Sequence, residues 1–291
     1  NNHSYDYLQD GLDTTVRALE AAGLEWSGAG SNEEDALRAS RLNIGDQSLS
    51  LLGYVGWKGR VEPNQIAENE KGGAAYGNNA NIASSVSRET ALGRNVIVQY
   101  HGSREYGDNP SRASERRMKL AVDNGAALVA SHHPHVPHGV ELYKGALIAY
   151  STGNFLETHG SFILKAWMEE GRVVRAEIVP IRILDYRPVP AVGSMREAVL
   201  DRIERLSEER GTAIGRSGGH GLILPLSSDA SVITDHIRKD KAEYDVLRGG
   251  DFENAIYGSA IDRSLKVVGA DFRHDFLGKS GHVLRLSARA G

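Results

Sequence analysis

The 291-residue chain predicts an α/β (α+β) fold, a two-sheet β-sandwich of mixed parallel and antiparallel strands flanked by helices. Three observations predict it. Asn95-Val96-Ile97-Val98-Gln99-Tyr100 reads as a buried strand, Ser111 to Asn124 has helix-like content that stops at Gly125, and Ala127-Leu128-Val129-Ala130 is a second apolar strand. Strand, helix and strand in that order make a right-handed crossover between parallel neighbours. Downstream, Gly139 to Tyr143 and Ala146 to Ser151 flank the turn Lys144-Gly145, while Phe162 to Met168 and Arg172 to Pro180 are joined through Glu169-Glu170-Gly171, which gives two antiparallel hairpins. Finally, Ser194-Met195-Arg196-Glu197 has the form of a capping box, and Met195, Val199, Ile203 and Leu206 give the helix behind it one apolar face for core packing. A parallel half followed by an antiparallel half suits two packed sheets with outer helices.

At the amino end, Asn1-Asn2-His3-Ser4 is a loop entering a helix whose apolar positions Leu8, Leu12, Val16 and Leu19 recur until Gly23 stops it. Leu24-Glu25-Trp26 reads as a short strand, and Ser48 to Val55 as a longer one that fits burial on both faces. From Gly56 to Gly93 the periodicity is interrupted by Gly72-Gly73, Gly77-Asn78-Asn79 and Ser84-Ser85. This segment is expected to be a loop-rich insertion with one short helix ending at Leu92, and its place beside a ligand-bearing edge suits a substrate lid or, equally, a mobile surface excursion without function.

From Arg216 onward, Gly218-Gly219 and Gly249-Gly250 punctuate short pieces such as Leu222-Ile223-Leu224 and Val283-Leu284-Arg285-Leu286. The expected division is therefore a domain over 1–215 and a carboxyl-terminal extension over 216–291. His220, His236, His274 and His282 occur there at no ligand-like spacing and are read as surface or hydrogen-bonded residues.

With 40% hydrophobic and 25% charged residues, the chain can build one large domain, or one domain with an appendage. A net charge of −4 and a pI near 6.3 argue against a general electrostatic nucleic-acid binder. Arg112, Arg116, Arg117 and Lys119 are read as the solvated side of a helix. The absence of cysteine excludes disulfides, thiolate nucleophiles and thiolate zinc sites. No apolar stretch approaches the ~18 residues of a membrane span, and no signal peptide is visible.

The chemistry is concentrated at two strand ends. Ser131-His132-His133-Pro134-His135-Val136 places three imidazoles in four consecutive positions after one predicted strand, and His101-Gly102 follows the other. In a parallel crossover both emerge at the carboxyl edge of one sheet, where α/β proteins place ligands. Imidazole is a common neutral metal ligand, and a His-x-His spacing lets two rings turn toward one point. An Asn oxygen such as that of Asn2 can bind a divalent cation, and the adjacent His3 can face a substrate as an acid or a positive charge.

Taken together, Asn2-His3 with Asp6-Tyr7, His101-Gly102 with Glu105-Tyr106, His132-His133-Pro134-His135-Val136, and Ser151-Thr152-Gly153-Asn154-Phe155 resemble, in that order, the CapA family. That family is named for poly-gamma-glutamate capsule synthesis and belongs to the calcineurin-like metallophosphoesterase superfamily. The resemblance runs from Asn1 to about Gly211. It implies a calcineurin-like sandwich and one or two divalent metal ions, with Mn, Fe, Zn, Mg and Ca not distinguished. The implied ligands are Asn2, His101, His133 and His135; His132 is an alternative, because the extra histidine leaves the register ambiguous by one. It also implies that His3 is the acid or transition-state stabiliser. The superfamily pattern further supplies a bridging acid from upstream strands, which are expected in a part of the protein that precedes Asn1. Family members often carry an amino-terminal anchor there, so the compartment is left between the bacterial cytoplasm and a membrane-anchored extracytoplasmic location. Where the family usually has Trp after the first His of the His101 motif, this chain has Gly102 and Ser103.

Three functions compete. The leading one is a metal-dependent hydrolase of phosphoesterase type, acting on a phosphoester or an amide-linked polymer, with His3, His101 and Glu105 as catalytic groups. A peptide amino-acid epimerase could use the same pocket for metal-assisted acid and base chemistry. The third is a non-catalytic component that binds an anionic capsule polymer. The expected partner is thus a small-molecule, peptide or anionic-polymer substrate, and not nucleic acid.

Overall fold

The computed structural model describes residues 2–45, 47–60, 62–154 and 160–224. Its centre is a six-stranded sheet in the order β2-β3-β5-β6-β8-β7. These strands are β2 (Ser40–Ile44), β3 (Gln47–Val55), β5 (Asn95–His101), β6 (Ala126–His132), β7 (Val140–Tyr143) and β8 (Ala146–Ala149). The four inner strands β3, β5, β6 and β8 are parallel, and the edge strands β2 and β7 are antiparallel to their neighbours. Helix α4 (Arg112–Asp123) makes the crossover from β5 to β6. The Ser111 side chain accepts from Ser114 N at its start, and Gly125 at φ +106° follows its end.

Alternation along the strands decides which layer each face meets. On one face Leu52, Tyr54, Val96, Val98, Tyr100 and Ile148 pack against Ile82 and Val86 of α3 (Asn79–Ala91) and Met118 of α4. On the other face Leu128, Leu147 and Ala149 pack against Phe162, Ala176 and Ile178 of a second sheet. That sheet is built around β10 (Arg172–Leu184), which pairs along one side with β9 (Ser161–Glu169). On its other side β11 (Arg187–Pro190) and β13 (His220–Leu224) share its length, and β12 (Ala213–Ser217) pairs with β13. Both predicted hairpins form. Their turns have left-handed pairs, Lys144-Gly145 at φ 50° and 84° and Glu170-Gly171 at φ 47° and 77°, the twist that suits two-residue connections.

Helix α5 (Gly193–Glu208) covers the second sheet and sends Val199, Leu200 and Ile203 into the same core. Ile203 is fully buried. Its replacement by alanine is expected to cost about 3 kcal/mol through lost transfer energy and a residual cavity. Urea unfolding checks this, the midpoint falling while the m-value stays unchanged.

Several local expectations are corrected. The capping box does not form: α5 starts at Gly193 with Val192 as N-cap and no side-chain cap, and Glu197 turns outward to Arg196 and Arg216. Met195, at the exposed start of its stripe, is not part of the core. Leu24-Glu25-Trp26 is not a strand. Helix α1 (Leu8–Ala21) ends in a Schellman arrangement, with Gly23 N bonded to Glu20 O and Leu24 N to Leu19 O, so the Leu24 amide is already used. The ladder there is instead the small pair β1 (Ala29–Gly30) and β4 (Gly73–Ala74).

The helix ending near Leu92 is not short either. α3 runs for 13 residues from the Asn78 cap, and Ser85 does not interrupt it because its hydroxyl bonds back to Asn81 O and meets Tyr54 Oη. Four further short elements, α2 (Glu33–Ala36), β2, β11 and β12, had no forecast. Arg112 and Arg116 are exposed as expected, whereas Arg117 reaches Gly56 O and Lys119 bridges Glu115 and Glu141. The expected division after residue 215 falls inside β12, and β13 lies within the second sheet. Residues 225–291, with His236, His274, His282 and Val283 to Leu286, lie outside the described residues, as does Phe155. Among the described residues no helix is long and apolar enough to cross a membrane.

Candidate metal centre

The parallel strands deliver their loops to one edge. His101 and His132 are direct partners in the β5–β6 ladder, and Val55 is the partner of His101 on the other side. Trp57 after β3, the loop 102–110 after β5, residues 133–139 after β6 and residues 151–154 after β8 therefore emerge together.

After β6 the chain turns sharply. His133 and His135 adopt φ +97° and +65°, a region that L residues seldom occupy, and Pro134 lies between them. Their rings are 5.8 Å apart and nearly perpendicular. Glu105 approaches from the neighbouring loop, its Oε1 3.8 Å from His133 Nε2. One ligand atom from each of Glu105, His133 and His135 lies within 4.8 Å of the others. Tetrahedral ligands at ~2.1 Å from an ion are roughly 3.4 Å apart, so this spacing is close to what a bound cation requires.

The remaining expected site residues divide into three groups. Asn2 and His101 come together, with Asn2 Oδ1 2.7 Å from His101 Nε2, and the His101 ring is 5.1 Å from that of His133. His3 is exposed, and its Nδ1 is 2.8 Å from Asp6 Oδ2. His132 has both ring nitrogens engaged by protein, Nε2 3.2 Å from Gln99 Oε1 and Nδ1 3.1 Å from Thr152 Oγ1.

Burial sets the protonation of the cluster. Desolvation pushes His101 down to about 2, and the neighbouring imidazoles of His133, His132 and His135 add to that effect. His132 and His133 are also lowered, chiefly by burial, with Glu105 opposing the shift at His133. Neutral rings at physiological pH are the form that ligates metals.

Residues without an assigned role in the sequence complete the centre. Trp57 lies 4.5 Å from the His133 ring and stacks at 22° on His101, forming an aromatic wall. A Cβ on Gly102 would come within 2.8 Å of the Tyr100 ring, so a larger residue does not fit there and the indole arrives from the β3 side instead. Its signal was a lone Trp directly after an apolar strand. Trp57 lies in the first turn of the segment 56–93 for which a lid was expected. The Asn154 amide lies 3.2 Å from His135 Nδ1 and holds the orientation of that ring. Tyr106, at φ +58° and exposed, sits at the rim with its ring 5.5 Å from that of His135.

Comparison with known proteins gives a consistent neighbourhood. A family model described as bacterial capsule synthesis protein PGA_cap matches residues 1–159. The chain is 28% identical over 205 residues to the capsule biosynthesis protein CapA of Bacillus anthracis, covering 67% of this chain and 49% of that protein. It is 27% identical over 197 residues to the PGA biosynthesis protein CapA of Bacillus subtilis, covering 65% and 51%. A probable polyglutamine synthesis accessory protein of Mycobacterium tuberculosis is 24% identical over 236 residues, 74% of this chain and 62% of that protein. The chain spans about half the length of the two Bacillus relatives.

Proposed function

The chain belongs to the family of bacterial capsule synthesis proteins PGA_cap, and from that premise we propose that it is a metal-dependent hydrolase of phosphoesterase type with its centre at Glu105, His133 and His135. The observation that carries this reading is the convergence of those three donors at the carboxyl edge of the parallel strands. Two imidazoles and one carboxylate form a donor set that would suit a catalytic first-row divalent cation. Asn2 and His101, which adjoin His133, are proposed as the further ligand pair, with Mn, Fe or Zn as the cation class. When bound, the cation supplies Lewis-acid polarisation and a water of lowered pKa.

The chain's own residues do the rest. Trp57 closes the side of the pocket behind His101 and His133 and keeps water from those rings. Tyr106 offers an exposed aromatic face to the substrate beside His135. His3, held by Asp6 on the exposed amino-terminal loop, donates a proton to the leaving oxygen or neutralises its charge.

The relatives named as synthesis accessory proteins favour a second reading, in which the same centre binds an anionic polymer without turning it over. Elemental analysis of the purified protein, followed by assays on p-nitrophenyl phosphate and on polyglutamate before and after chelation, separates the two. The hydrolase reading expects a bound first-row metal and phosphate release that stops on chelation and returns with added metal. Retained metal, measurable polyglutamate binding and no product would replace it with the binding reading. Label from deuterated water at Cα of a peptide without cleavage would replace it with epimerisation.

A further inference from the structure

Glu105 and Tyr106 stand on a loop, residues 102–110, that belongs to neither sheet and is exposed over most of its first half. Such a loop holds a ligand in place only if something fastens it. The fastening comes from elements outside the centre. His138 Nε2 donates to Gly107 O at 2.8 Å from a fully buried position. Arg202, on α5, spreads its guanidinium between the two ligand-bearing segments: Nη2 donates to Asp108 Oδ1 at 2.9 Å and Nε donates to Pro137 O at 2.8 Å. Arg210 adds a bond to Asn109 Oδ1 at 3.1 Å, and Tyr106 N donates to Pro134 O at 2.8 Å.

We propose that Arg202 and His138 are positioning residues, which hold the Glu105–Tyr106 loop against the His133–His135 turn and so set the spacing of the metal donors. This rests on the reading of Glu105, His133 and His135 as the metal centre. Arg202 touches both segments yet contributes no donor to the centre, and its two bonds end three residues from Glu105 on one side and two residues from His135 on the other. The buried Nδ1 of His138 has no hydrogen-bond partner. An imidazole that merely filled space would leave that nitrogen as an uncompensated cost which a leucine avoids, so the bond to Gly107 is the gain that justifies the residue.

The test uses the full chain and cobalt(II) as a spectroscopic probe. Arg202→Met keeps the aliphatic stem of a partly exposed side chain, Arg202→Lys keeps the charge, and His138→Leu removes the bond to the loop. Arg202→Met and His138→Leu are expected to weaken cobalt binding by about 10–100-fold, as loss of outer support does at metal sites, and to alter the visible absorption band. Trypsin cleavage after the exposed Arg104 should accelerate in native buffer, and Arg202→Lys should restore part of both properties. Unchanged affinity, spectrum and cleavage in Arg202→Met would overturn the proposal even if His138→Leu fails to fold. If the parent protein binds no cobalt while cleavage still accelerates in Arg202→Met, the metal reading falls and the loop clamp stands. If the parent binds cobalt and the variants bind it identically, the clamp falls and the metal reading stands.

Discussion

Replacing His133 or His135 with alanine is expected to strip the centre of its cation and lower turnover about a thousandfold or more. Each substitution removes one of three donors that lie within 4.8 Å of one another, and the two that remain cannot hold a catalytic ion firmly. A metal contributes several kcal/mol of transition-state stabilisation, and each ~1.4 kcal/mol is tenfold in rate, so loss of ~4 kcal/mol gives the expected factor. His132→Ala is the internal contrast. Its nitrogens face Gln99 and Thr152, so this variant should keep its metal and lose only about 1 kcal/mol of stability. Metal content by elemental analysis and rate on a chromogenic phosphoester are measured on the same samples. Full turnover in metal-depleted His133→Ala would contradict the mechanism, and metal loss in His132→Ala would move the register by one.

The largest stability effect is expected at Glu89, where α3 ends against the edge of the first sheet. Its carboxylate is 1% exposed and receives the Arg41 guanidinium as a fork at 2.9 and 3.0 Å, Ser50 Oγ at 2.9 Å and Arg88 Nε at 3.2 Å. Arg94 extends the network to Ser50 and to the carbonyls of Leu42 and Leu49. Glu89→Gln removes the buried carboxylate charge while the half-exposed Arg41 and Arg88 can turn to solvent, and is expected to cost about 3 kcal/mol. Acid should have the same target. Desolvation alone would raise the Glu89 pKa, but the bonds from Arg41, Ser50 and Arg88 outweigh it and hold the group at about 2.

A folded-state value below the unfolded one, ~4.3, means that the stabilisation is complete above pH ~5 and is lost as pH falls from ~4.5 through ~2. The amount is on the order of 3 kcal/mol. Urea unfolding of parent and Glu89→Gln at pH 7 and pH 3 checks both points. The gap between the two proteins should narrow at the lower pH, and a constant gap would refute the assignment.

What the sequence made legible follows from which forces act locally. The β5-α4-β6 unit and both hairpins were readable because unbroken apolar strands and two-residue turns with glycine leave few alternatives. Helix α3 was obscured by its polar composition, since Ser85 is satisfied by Tyr54 from a strand far away in sequence. The false capping box arose because Ser194 and Glu197 have the right spacing, while Arg216, distant in the chain, draws Glu197 outward.

At the proposed centre, clustered histidines after two strands pointed to the edge where the imidazoles gather. The register did not follow from them, because it depends on left-handed backbone at His133 and His135 and on Gln99 and Thr152 engaging His132. Trp57 and the approach of Glu105 to His133 depend on loops meeting in space, which no local pattern encodes.

The place of β13 between β10 and β12 has a consequence for biosynthesis. Ribosomes deliver the chain from its amino end, so β10 waits with Ala176, Glu177 and Ile178 unpaired along that edge until Gly221 to Ile223 have cleared the exit tunnel. A nascent polypeptide stalled at Ser217 would therefore present an open sheet edge over apolar surface, the kind of intermediate that chaperones shield and that otherwise aggregates.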